Sequence, residues 1–286
     1  MIIWISSYPK SGNTWLRSFI ASLLYSKDGN ASLDNLNYID SYPLRKHFKN
    51  YLNDFYNFNL IKKNWIISQE LINRKDNKVK FLKTHHINCK IGEDEFTNKK
   101  NTLGALYIVR DPRNVITSIK YHFSLKNYDD ALDMLINKNH TIGIPEKNLS
   151  DPEQDNNITT FISSWANNYN SWKNTKDNFL LIRYEDLIDE NKKEFFKIGR
   201  YLEKIFDISI GDQKIKNAIK SNSFENLKKL EHIHGFNEQI LDKNTQKNKN
   251  FFYLGKKNRW QDLLDKKYVD KIEKEFKVEM KELNYI

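Results

Sequence analysis

Residues 6–20 read SSYPKSGNTWLRSFI and follow the apolar run IIWI at 2–5. The Ile2–Ile5 run is partly β-branched and reads as a buried strand. Trp15, Leu16, Phe19, Ile20, Leu23 and Leu24 recur at helical spacing and predict a helix from about Asn13 to Tyr25. Gly12 in the intervening loop allows a tight turn and a close approach to the main chain. The first N–H groups of a helix lack internal partners and face such a loop, where the helix dipole favours negative charge. Lys10, Ser11 and Thr14 add side-chain donors. A strand, a tight loop and a helix N-terminus of this composition form an anion site, most naturally for phosphate. The alternative is a plain strand-to-helix turn with a solvated lysine.

Further strands and helices alternate along the chain. Val79–Lys83, Leu103–Val109 and Phe179–Arg183 read as strands, and Trp65–Ser68 as a strand or the start of a helix. Helical patterns cover Pro112–His122, Ile158–Asn174, Lys192–Phe206, Asp212–Ala218, Phe224–Leu230 and Lys266–Leu283. Lys126–Asn157 is expected to hold a short helix and a mobile loop, Gln239–Asn250 a polar loop, and Lys27–Asn64 few regular elements. This order predicts an α/β fold with a central parallel sheet flanked by helices, in one domain over 1–286. Ligands of such sheets bind beyond the C-terminal ends of the strands.

The composition, 39% hydrophobic and 13% aromatic, is that of a globular chain. No apolar run approaches the ~18 residues of a membrane span, and the first residues lack the pattern of a secretory signal. Cys89 is the only cysteine, so internal disulfides are excluded and a cytoplasmic location is expected. The net charge of +10 comes from scattered lysines. Without an arginine-rich arm or an RNA-recognition motif, no nucleic-acid partner is expected. The histidines show no zinc spacing, and no metal is expected.

Three segments leave strand ends: Lys10–Trp15, Lys83–His86 and Arg110–Ser118. If the strands are neighbours, these segments share one crevice. Arg110 and Ser118 lie eight residues apart and could grip a second phosphate. Only one of His85 and His86 can enter the crevice, because consecutive side chains on a strand point to opposite faces.

The ordered set resembles the sulfotransferase family that uses 3′-phosphoadenosine 5′-phosphosulfate (PAPS). YPKSGNTW (8–15) is similar to its 5′-phosphosulfate loop, YPKSGTTW, and RDPRNVITS (110–118) to its 3′-phosphate segment. FLKTHH (81–86) resembles the strand and KTH that carry the catalytic histidine. LLIRYEDL (180–187) resembles LxYEDL, SFENL (223–227) resembles SFxxM, and FFYLGKKNRW (251–260) resembles the late loop FxRKGxxGDW.

The resemblance implies sulfuryl transfer from PAPS, leaving 3′-phosphoadenosine 5′-phosphate (PAP), with nucleophile, sulfur and leaving oxygen in line. It selects His85 as general base, a role typically worth about 10²–10⁴-fold. Lys10 would neutralise the leaving oxygen, and Lys83 would support the sulfuryl or bridging oxygens. Ser11, Gly12, Asn13 and Thr14 would hold the 5′-phosphate. Arg110 and Ser118 would hold the 3′-phosphate, and Ser118 would also restrain Lys10. Trp15, Phe224 and Tyr184 would contact the adenine or its ribose, and Gly255 would let the late loop approach the nucleotide. Two departures stand out. Tyr253-Leu254 replaces the Arg-Lys of the late loop, leaving Lys256, Lys257 or Arg259 to substitute. The C-terminal dimer motif of many cytosolic members is absent, so that dimer mode is not expected, and the oligomeric state is not read from the sequence.

The acceptor is expected to be a small molecule or a glycan: a carbohydrate, a lipid or a phenol. Its side of the site would fall within Asp28–Asn64, His86–Phe96 and Lys126–Asn157. The aromatics Tyr38, Tyr42, Phe48, Tyr51, Phe55, Tyr56 and Phe58 would line that side or pack the core. Two rivals differ in kind. A nucleoside-triphosphate enzyme would carry its lysine after the second glycine of GxxxxGK[ST], whereas Lys10 precedes Gly12. A silent nucleotide- or RNA-binding protein would have no need of both Lys10 and His85.

Overall fold

Every residue of the first strand, β1 (Ile2–Ser6), is buried, and Ile2, Ile3, Trp4 and Ile5 have no exposed surface at all. A strand covered on both faces must be apolar along its whole length, which is why IIWI shows no alternation. The structure is a computed structural model that describes residues 1–76, 78–144, 157–175, 178–236, 238–241 and 247–286. With β2 (Asp40–Ser41), β3 (Lys80–Thr84), β4 (Thr102–Val109) and β5 (Phe179–Arg183), β1 builds a central five-stranded parallel sheet in the order β2-β3-β1-β4-β5. Ser6 pairs with Thr84 on one side and with Tyr107 on the other. The ends of β1 and β3 are therefore level, and β4 runs on two residues further.

The helices used below are α1 (Asn13–Tyr25), α2 (Trp65–Arg74), α3 (Pro112–His122), α4 (Trp165–Lys173), α5 (Tyr184–Asp189) and α6 (Phe224–His234). Among the described residues the chain divides into two compact units. The first comprises Met1–Tyr8, Ile39–Tyr107 and Asn137–Leu181. Its core is aromatic: Trp4 lies 5.4 Å from both Tyr42 and Phe96 and 6.0 Å from Trp172 of α4. The second comprises Pro9–Tyr38, Ile108–Ile136 and Ile182–Ile286. There Phe195 packs 5.4 Å from Trp15 and 4.4 Å from Phe19, both on α1. Arg113 of α3 is a second anchor. It bonds the Asp111 carboxylate and the Tyr285 carbonyl, pairs with Glu273, and lies 4.2 Å over the Trp260 ring.

The helices expected over 13–25 and 112–122 and the strand over 179–183 have those bounds. Of the strand and helix readings of residues 65–68, the helix start is the one observed, with Trp65 fully buried. Other expectations need correction. The helix expected from 158 starts only at Trp165, because Ser163 has φ 57° and Ser164 caps the helix by accepting from the Asn167 N–H. Residues 160–161 pair instead with 141–142. The C-terminal helix is broken at Phe276 into Lys266–Glu275 and Lys277–Glu282. In Lys126–Asn157 the short helix is Tyr128–Ile136, and the expected loop at 145–156 lies outside the described residues. So does the centre of the Gln239–Asn250 loop. Lys27–Asn64 holds the 3₁₀ turns Leu33–Tyr38 and Arg45–His47 and a helix at Phe58–Lys63.

Candidate active site

The loop between β1 and α1 turns on two left-handed residues, Lys10 at φ 65° and Gly12 at φ 100°. A Cβ on Gly12 would lie 2.5 Å from the Tyr184 ring and 3.1 Å from Ile108, so both conformation and space demand glycine here. Gly12 is also the N-cap of α1, and no side chain caps that helix. The Ser11 hydroxyl is completely buried without a hydrogen-bond partner among the described residues. The Thr14 hydroxyl donates to the Glu238 carboxylate at 2.7 Å, and Arg17 pairs with the same carboxylate. The loop's own donors thus hold an anion of the chain. The Lys10 ammonium lies 3.9 Å from the centre of the Phe251 ring and donates to His122 Nδ1 at 3.3 Å, which leaves the His122 ring proton on Nε2.

Arg110 leaves the end of β4 and bonds back to this loop. Its Nη1 donates to the Lys10 carbonyl at 3.2 Å and to the Ser118 Oγ at 3.3 Å. The eight-residue spacing therefore brings the two side chains together. The guanidinium lies 4.2 Å over the Tyr184 ring, whose edge faces Trp15 at 5.6 Å. Trp15 Nε1 donates to the Asn222 carbonyl. Half-buried Glu185, next to Tyr184, accepts from the Asp111 N–H and the Tyr285 hydroxyl, and desolvation raises its carboxyl above the ordinary range. This network holds the backbone beside Arg110.

The late loop is anchored by buried Glu231 of α6, which accepts from the N–H groups of Phe251 and Phe252. Gly255, at φ 55°, lies against Phe224, where an added Cβ would come within 2.7 Å of the ring. Tyr253 stacks on Tyr121 at 3.7 Å with ring planes 3° apart. Lys256 and Lys257 are exposed on the 3₁₀ turn Gly255–Lys257, and exposed Arg259 is paired with Asp262. Asn258 is buried between the Ser118, Asn114 and Thr117 positions of α3.

Lys83, His85 and His86 belong to the first unit. Lys83 pairs with Ile5 of β1 and Ser41 of β2 and is half-buried. His85 Nδ1–H donates to the Ser7 carbonyl at 2.8 Å, so Nε2 carries the lone pair. The ring is half-buried, and the Asn168 amide holds the His85 carbonyl at 2.9 Å. His86 faces the other way and is fully buried, stacked 4.1 Å from Phe96. Of the aromatics expected at the acceptor side, Tyr42, Phe48 and Phe55 are core residues, whereas Tyr38 is 64% exposed and stacks on Tyr25.

Sequence reasoning missed His122, Glu238 and Asn258. Each meets its partner across more than a hundred residues of chain. Among the described residues no group of three or more His, Cys, Asp or Glu side chains could hold a metal, and no helix is long and apolar enough to cross a membrane.

Residues 2–284 match the family model described as the sulfotransferase domain. Cytosolic sulfotransferase 13 of Arabidopsis thaliana is 23% identical over 95% of this chain and 74% of its own length. Luciferin sulfotransferase of Photinus pyralis is 24% identical over 79% of this chain and 56% of its own. Among solved structures, a mouse sulfotransferase complexed with PAP is 20% identical with a TM-score of 0.57, covering 98% of this chain and 84% of that one. A retinol dehydratase in a complex with retinol and PAP is 17% identical with a TM-score of 0.59, covering 98% and 81%.

Proposed function

The chain belongs to the sulfotransferase family, and from that premise we propose that it transfers a sulfuryl group from PAPS to a hydroxyl or amine of a small-molecule or glycan acceptor. The domain would be a single one over 1–286, and its location cytoplasmic, in keeping with the cytosolic plant relative and the single cysteine. PAPS supplies an activated sulfuryl group on a phosphate leaving group. The buried, unpartnered Ser11 hydroxyl and the glycine-only turn at Gly12 fit a phosphate against this loop.

Ser11, Gly12, Asn13 and Thr14 hold the 5′-phosphate, and Thr14 gives up Glu238 to do so. Lys10 directs its ammonium to the oxygen that gains charge as the sulfur–oxygen bond breaks, a contribution of about 10²–10³-fold. Lys83 supports the sulfuryl or bridging oxygens. Arg110 and Ser118 hold the 3′-phosphate. Trp15, Tyr184 and Phe224 contact the adenine or its ribose. Gly255 lets the late loop approach the nucleotide, with Lys256, Lys257 or Arg259 in place of the missing Arg-Lys pair. His85 takes the acceptor's proton on Nε2, the nitrogen made basic by the bond from Nδ1–H to Ser7. The luciferin sulfotransferase among the relatives favours a small-molecule acceptor.

The observation that carries this reading is Arg110 bonded at once to the Lys10 carbonyl and the Ser118 hydroxyl. Titration calorimetry tests it. PAP should bind more tightly than adenosine 5′-phosphate, and Arg110→Ala should weaken PAP by about 10–100-fold, the loss of charge-assisted bonds to one phosphate. Equal binding of the two nucleotides by the unmodified protein would overturn the assignment. Transfer of labelled sulfate from PAPS across a panel of phenols, alcohols and sugars then finds the acceptor class.

A further inference from the structure

Asn258 stands where the family pattern FxRKGxxGDW has its second glycine, and its side chain is buried in a closed set of polar contacts. Its Nδ2 donates to the Asn114 carbonyl and to the Ser118 Oγ, both at 3.0 Å. Its Oδ1 accepts from the Thr117 hydroxyl at 2.6 Å. A backbone carbonyl only accepts, so the contact to Asn114 fixes which end of the amide is the nitrogen. The turn that carries Asn258 is fixed as well: its own N–H bonds the Gly255 carbonyl, and the next-but-one N–H, of Trp260, bonds the Asn114 side chain.

The consequence falls on Ser118. A hydroxyl has two acceptor sites and one proton. Arg110 donates to Ser118 Oγ from one direction and Asn258 from another. Neither can accept a proton from it there, so the Ser118 hydroxyl is left to act as a donor, and bonds already accepted from a cation and an amide strengthen it in that role. A donor aimed by two fixed groups suits an anion, which only accepts, and does not suit a second hydrogen-bond donor.

We propose that Asn258 is a positioning residue for recognition of the 3′-phosphate: it sets Ser118 as a hydrogen-bond donor and so takes over part of the work of the missing Arg-Lys pair. The inference rests on the reading of Arg110 and Ser118 as the 3′-phosphate site. It adds that this chain recognises that phosphate through a side chain where the family pattern has none.

The test uses the full chain and two nucleotides, PAP and adenosine 5′-phosphate, which differ only in the 3′-phosphate. Asn258→Ala should weaken PAP about fivefold and leave adenosine 5′-phosphate unchanged. Asn258→Asp, close to the same shape, should weaken PAP more than tenfold, because a carboxylate draws the Ser118 proton to itself and repels the phosphate. In a Ser118→Ala background, Asn258→Ala should cost PAP nothing further. Equal losses for both nucleotides, or an undiminished loss in the Ser118→Ala background, would show a merely structural role and overturn the inference. Circular dichroism checks folding. Should Asn258→Ala not fold, Asn258→Asp and Asn258→Gly carry the same comparison. If the unmodified protein does not discriminate the nucleotides, the 3′-phosphate reading itself falls. If it does and the Asn258 variants discriminate equally well, only the present inference falls.

Discussion

His85 and His86 are adjacent, and both donate Nδ1–H to a backbone carbonyl, of Ser7 at 2.8 Å and of Ile87 at 2.7 Å. Their tautomers are therefore the same, and their surroundings are not. The half-buried His85 ring lies at the end of β3, held through its carbonyl by Asn168. The His86 ring is sealed among Phe96, Trp65 and Phe161, and its Nε2 has no hydrogen-bond partner among the described residues. Burial drives the His86 pKa down to about 3, against a weaker opposing effect of the bond to Ile87. One step along the chain, just past the end of β3, separates a half-buried ring from one that stays neutral as part of the core.

The largest effect that could break this contrast is on turnover. His85→Ala should reduce sulfuryl transfer by about 10²–10⁴-fold while PAP affinity and melting temperature stay close to those of the unmodified protein. A single-turnover assay with saturating PAPS, paired with a thermal melt, measures both. Full activity in the variant would remove His85 as base. His86→Ala should do the reverse. It removes a ring stacked on Phe96 and should cost about 3 kcal/mol of unfolding free energy in a urea titration, with residual activity following the folded fraction. A stability loss well under 1 kcal/mol would show that the aromatic core closes over the gap.

The same contrast separates what could be read in the chain from what could not. The strand–loop–helix of 2–25 was legible because its signals are local: an unbroken apolar run, a glycine forced to φ 100° and a helical stripe. Arg110 and Ser118 were legible because a helix converts a spacing of eight into proximity. Strand alternation anticipated different surroundings for His85 and His86, although β3 ends at Thr84 and both lie just beyond it. By contrast, Lys10 meets His122, Thr14 meets Glu238 and Ser118 meets Asn258 across separations of 112, 224 and 140 residues. Those pairings depend on how distant elements pack, and no local period encodes them. Trp65–Ser68 was ambiguous because a short apolar run suits a strand as well as a helix start. The break at Phe276 was hidden because the apolar spacing continues past it, with Met280 buried on the far side.

The smallest effect sharpens the contrast through pH. An unfolded chain holds His86 at its ordinary pKa of about 6.5, whereas the folded chain holds it near 3. As pH falls below about 6.5 the unfolded state gains a proton that the folded state refuses. The stability due to neutral His86 is thus fully present above that pH and is lost progressively down to about pH 3. Between pH 7.5 and 5 the loss should be about 2 kcal/mol from this one group. His86→Phe keeps a ring in the stack and removes the titration. Unfolding free energies from urea titrations at the two pH values should therefore differ less in the variant than in the unmodified protein, by about that amount. If the slope is the same in the variant and in the unmodified protein, a neutral His86 sealed in the core is not the source of the pH dependence.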